Sequence, residues 1–78
     1  MQALGKLFGR KELGIVRMFD RDKGFGFIMR YNRQADAFLH ASELRKIGLG
    51  DIEPGECLAF DVIDHTKGPC AVRVVLAS

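Results

Sequence analysis

The stretch Lys23-Gly24-Phe25-Gly26-Phe27-Ile28 decides the fold. Strand side chains alternate between two faces, so a strand over Gly24 to Arg30 sets Phe25, Phe27 and Met29 on one side. Gly24, Gly26, Ile28 and Arg30 fall on the other. If the phenylalanines were core, the solvent face would hold two glycines that give the strand nothing. If they face outward, the glycines instead permit close backbone approach inside a small barrel. The second arrangement accounts for both residue types, and it leaves an aromatic surface that needs a purpose.

Working outward, Leu13 to Phe19 is an apolar run with β-branched residues, closed by the polar turn Asp20-Arg21-Asp22-Lys23, and reads as a first strand. Asp36 to His40 is a short third strand with Phe38 and His40 on one face and Ala37 and Leu39 on the other. Ser42 to Ile47 carries a weak helical signal with Ser42 as the cap, ended by Gly48 and Gly50, and predicts a single turn. Cys57 to Asp64 alternates Leu58, Phe60 and Val62 against Cys57, Ala59, Asp61 and Ile63, a strand with one buried face. Lys67-Gly68-Pro69 makes a turn, and Cys70 to Leu76 is the fifth strand. Five short strands with almost no helix indicate an all-β antiparallel barrel or sandwich. The barrel is favoured because closure removes exposed edges.

With 78 residues there is room for one small domain and no deep substrate cleft. General acid and base work needs paired groups in a concave site, and Asp20 and Asp22 lie beside arginine in a polar turn, so no enzyme is expected. Cys57, His65, Cys70 and His40 match no metal-binding spacing, and neither metal nor cofactor is expected. Two cysteines are too few for a disulfide scaffold and suit a reducing compartment, which points to the cytoplasm. No apolar run reaches the length of a membrane span, and no membrane partner is expected. A closed barrel points to a monomer.

Charge is uneven. Residues 1–39 carry eight basic and four acidic side chains, net +4, and residues 40–78 carry four basic and six acidic, net −2. The basic half is also the aromatic half, and aromatics interleaved with cations on a flat sheet are the signature of single-strand binding. Unpaired bases stack on exposed rings at about 1–3 kcal/mol each. Phe25, Phe27, Phe38 and His40 would form the platform, with Arg17, Arg21, Lys23, Arg30 and Arg33 near the phosphates.

The chain resembles the cold-shock domain family. The resemblance rests on Gly14-Ile15-Val16-Arg17-Met18-Phe19-Asp20, Lys23-Gly24-Phe25-Gly26-Phe27-Ile28, Asp36-Ala37-Phe38-Leu39-His40 and Lys67-Gly68-Pro69, in order and spacing over roughly residues 13–75. It implies a five-stranded OB-type barrel with one short helical turn. It also implies binding of single-stranded RNA or DNA with little sequence preference, as an RNA chaperone or a regulator of transcription or translation. Carried over by position, Arg17, Lys23 and Lys67 would hold phosphates, while Phe19, Phe25, Phe27, Phe38 and His40 would stack on bases; Phe60 matches a core position.

Two positions depart from the family pattern. Met18 stands where a tryptophan is usual and Ala41 where another phenylalanine is usual. Met18 keeps a polarizable apolar surface for the interface, and Arg21, Arg30 or Tyr31 could compensate by stacking or charge. The expected domain runs over residues 13–78, preceded by a flexible extension over residues 1–12. The alternative to a nucleic-acid binder is a diverged cold-shock fold used as a protein-interaction module.

Overall fold

In the computed structural model, which describes residues 11–77, the alternation at Phe25–Arg30 forms strand β2. It pairs on one side with β1 (Glu12–Asp20) and on the other with β3 (Ala37–His40). A five-residue helix, α1 (Ala41–Arg45), follows β3 directly, and β4 (Cys57–His65) and β5 (Gly68–Leu76) complete the chain. The strands close into a barrel in the order β1-β2-β3-β5-β4, with β1 meeting β4. Four seams are antiparallel. The fifth, where Phe38 of β3 meets Cys70 of β5, is parallel. This is the five-stranded OB-type barrel with one helical turn, with one seam of opposite sense. Of the extension expected over residues 1–12, residues 1–10 lie outside the described residues, and Glu12 already belongs to β1.

The inward faces carry the core, and for Ile28, Leu39, Leu58 and Phe60 that side follows from the alternation. Val16, Ile28, Leu39, Leu58, Phe60 and Val74 are all essentially inaccessible. Leu44 of α1 joins them. Gly26 shows why a barrel this narrow needs glycine on its inner wall: a Cβ there would overlap the Met18 carbonyl oxygen and sit 2.7 Å from Phe19 Cα. Gly24, at φ 79°, makes the turn from β1 into β2, a conformation that costs a residue with a Cβ.

The cap of the helix is not the expected one. His40, at the end of β3, accepts the Ser42 backbone N–H on Nδ1 at 3.0 Å, so His40 is the N-cap and Ser42 lies inside the first turn. The sequence reading favours Ser42 because hydroxyls are common caps, but here a ring nitrogen supplies the acceptor and starts the helix at Ala41.

Two bulges bend the wall. Val16 pairs with Ile28 and Met18 with Phe27, which leaves Arg17 as an extra residue in β1. In β5, Asp61 faces Val72 and Ala59 faces Val75, and Arg73 adopts φ 50°. A left-handed arginine is costly, of order 1 kcal/mol or more. It is held by three contacts: its N–H donates to the buried Glu43 carboxylate at 3.0 Å, its carbonyl accepts from Lys11 Nζ at 2.7 Å, and its Nε–H donates to Asp61 at 2.7 Å.

Candidate nucleic-acid interface

The outward side of β2 and β3 carries the rings. Phe25 lies opposite His40 and Phe27 opposite Phe38 in the β2–β3 register. Phe25 and Phe38 stack diagonally, centroids 5.7 Å apart and planes 19° from parallel. Phe27 meets both edge-on, at 6.0 and 5.9 Å, and His40 lies 6.4 Å from Phe38. The three phenylalanines are half-buried, each covered on its inner side and open to solvent on the other, and His40 is exposed. Because Nδ1 of His40 is occupied as an acceptor from Ser42, its Nε2 is the nitrogen that carries the proton in the neutral ring.

The bulge at Arg17 extends this surface onto β1. It turns two successive side chains outward, and Met18, 38% exposed, lies beside Phe27. The same bulge reverses the parity beyond it. Phe19, a stacking position by resemblance, faces the buried Gly26 and packs against the core cluster, apart from the four rings.

The cations divide into paired and unpaired. Arg17 Nε donates to Asp36 at 2.7 Å and Nη2 donates to the other carboxylate oxygen at 3.2 Å. This hydrogen bonding, and then the charge of Asp36, raise the Arg17 pKa above its ordinary value. Arg30 is enlisted from sequence for phosphate contact, but it lies on the inward side with Gly26 and Ile28. Its guanidinium is held by Glu12 through two 2.8 Å hydrogen bonds, with only 10% of the side chain exposed. The structure therefore does not bring Arg30 to the ring surface. Arg21 and Lys23 lie exposed in the β1–β2 turn, Lys67 in the β4–β5 turn, and Arg33 in the loop after β2. None of these four has a carboxylate within ion-pair distance among the described residues.

A groove of about 490 Å³ runs along the rings from Phe27 and Phe38 to Lys67, Pro69 and Cys70, with Asp36 and His65 on its walls. Asp36, His65, Pro69 and Cys70 are not singled out as site residues by the sequence reading. Asp36 shares the parity of Phe38 and His40, whereas Pro69 and Cys70 approach through the parallel β3–β5 seam, a non-local pairing that alternation within one strand does not reveal.

No helix among the described residues is long and apolar enough to cross a membrane. The profile of the "Cold-shock" DNA-binding domain matches residues 12–77. A cold shock-like protein of Aquifex aeolicus is 41% identical over 61 residues, spanning 78% of this chain and 87% of that protein. The cold shock-like protein CspC of Bacillus cereus is 40% identical over 62 residues, 80% of this chain and 94% of the relative. A major cold shock protein of Streptococcus pyogenes is 43% identical over 61 residues, 78% of this chain and 90% of the relative.

Proposed function

The chain belongs to the cold-shock domain family of nucleic-acid-binding proteins, and from that premise we propose that it binds single-stranded RNA or DNA on the outward side of β1, β2 and β3. The observation that carries the reading is the cluster of Phe25, Phe27, Phe38 and His40, whose open sides face solvent beside unpaired cations. Bases stack on the rings and on Met18, and a ring surface accepts any base because every base has a π face. Phosphates are met by Lys23, Arg21 and Lys67, which pair with no carboxylate among the described residues, and by Arg17 once it shares or releases Asp36. Contacts to stacked faces and backbone carry little sequence information. Binding of this kind suits a monomeric cytoplasmic RNA chaperone that keeps strands unpaired, or a regulator acting on exposed single strands.

The test is an anisotropy titration of a fluorescently labelled single strand and of its duplex at two salt concentrations. Three or four phosphate contacts give log K a slope of roughly −2 to −3 against log salt. Lys23→Ala should flatten the slope by about 0.7 for every sequence alike. Salt-insensitive binding, or equal affinity for duplex and single strand, would overturn the reading, and no binding at low salt would favour a protein-interaction module.

A further inference from the structure

The outward side of β2 does not end at Phe27. Met29, 42% exposed, continues it, and Tyr31, 55% exposed, follows in the turn. These two open a second groove of about 490 Å³ at the end of the β2–β3 hairpin, with Arg17, Arg30, Arg33, Gln34 and Asp36 on its other walls. Asp36 lines this groove and the ring groove alike, so the two adjoin at that residue.

The loop behind the groove is built with unusual care for a segment that contributes nothing to the core. The Glu12 carboxylate accepts from Arg30 Nε and Nη2 and, at 3.1 Å, from Asn32 Nδ2. Arg30 Nη1 donates to the Ala35 carbonyl at 3.2 Å, and Asn32 Oδ1 accepts the Gln34 N–H at 2.9 Å. The Tyr31 N–H donates to Leu13 at 3.0 Å, which ties the turn to β1. Within this frame Arg33 takes φ 65° and remains without a carboxylate partner among the described residues. Arg17 and Arg30 are neutralised by Asp36 and Glu12, so the groove's uncompensated positive charge sits on Arg33. A preformed pocket loses less entropy on binding.

We infer that this groove is a second nucleotide subsite, which takes the next nucleotide of the strand lying on the rings, its base against Tyr31 and Met29 and its phosphate on Arg33. The inference rests on the single-strand reading above. It also gives the chain a stacking ring beyond the positions where Met18 and Ala41 replace aromatics.

Two labelled oligonucleotides separate the two ideas: one of about four nucleotides, enough for the ring surface, and one of about seven, within the site sizes of such barrels. The wild type should bind the longer more tightly. Tyr31→Ala should weaken the longer by about tenfold and leave the shorter unchanged, and Tyr31→Phe should behave as wild type on both. Arg33→Ala should lower the salt slope by about 0.7 on the longer strand alone. Thermal melts that match wild type would show the barrel intact in each variant. Unchanged binding of the longer strand by both alanine variants, or equal losses on the two lengths, would overturn the subsite while leaving the ring surface standing. Failure of the wild type to bind either strand would overturn the single-strand reading and the subsite with it.

Discussion

Phe27 is the ring whose removal best separates packing from binding. It is half-buried and meets Phe25 and Phe38 edge-on. A phenylalanine buries about 150–250 Å² when fully covered, so roughly 100 Å² of Phe27 is covered here, and at about 25 cal/mol per Å² this contributes about 2–3 kcal/mol. Phe27→Ala should therefore lower the melting temperature by about 10–20 °C, at about 4–8 °C per kcal/mol for a domain of this size. A domain of this length has about 4–12 kcal/mol of stability to draw on, so the variant still folds in the cold. Its open side should also lose a stacked base, at about 1–3 kcal/mol, a drop in affinity of roughly five- to a hundred-and-fiftyfold.

The two effects need a control that loses stability without touching the rings. Val74, on the inward side of β5 and 2% exposed, provides one. Val74→Ala should cost about 2 kcal/mol of stability and leave the affinity of the folded protein unchanged. Both variants are titrated by anisotropy at a temperature where each is folded by circular dichroism. If Phe27→Ala binds single strands as tightly as Val74→Ala does, the ring is packing only and the stacking argument fails.

Gly26→Ala forces a Cβ into the Met18 carbonyl and the Phe19 backbone. Urea unfolding should show a loss of about 3 kcal/mol or more, and a loss under about 1 kcal/mol would mean that β1 and β2 can part at this seam without cost. Glu43 accepts the Arg73 N–H and pairs with Lys46. Glu43→Ala should cost about 1–3 kcal/mol by leaving that N–H without a partner, and Glu43→Gln under about 1 kcal/mol; equal losses would place the effect in the charge. Asp61 has its pKa lowered, first by the Arg73 hydrogen bond, against some desolvation, and further by the charge of Lys11. Its folded value lies below its unfolded one, so its contribution is present above about pH 4 and is lost as pH falls through the folded value. The stability difference between wild type and Asp61→Asn, measured by urea unfolding, should be flat near neutrality and close below about pH 4. A difference that persists unchanged to pH 2 would remove Asp61 from that role.

The parts of the structure legible in the sequence are those governed by period two within one strand. Phe25, Phe27, Phe38 and His40 on one face, and Ile28, Leu39, Leu58 and Phe60 inside, follow from alternation alone. Arg30 was legible as well, since its parity groups it with Gly26 and Ile28; only its charge suggests the outer surface, and Glu12 satisfies that charge. Phe19 is different, because alternation does not reveal a bulge, and one extra residue at Arg17 is enough to turn the next phenylalanine inward. The His40 cap depends on a ring nitrogen reaching two residues ahead, which no hydroxyl-based rule anticipates. Cys70 and Pro69 reach the ring groove through a seam between strands far apart in sequence, and local pattern holds no information about it.

That seam and its counterpart have a kinetic consequence. The rings all lie within β2 and β3, which form as neighbouring hairpins, whereas β1 pairs Gly14 with Leu58, more than half the chain away. Closing so long a loop must precede its reward, so barrel closure is the slow event. During synthesis the ring-bearing strands leave the ribosome well before the residues that cover their inner faces. A nascent chain therefore displays phenylalanines with no floor beneath them until β4 and β5 emerge. A single strand that binds only the closed barrel would pull that last step forward by mass action.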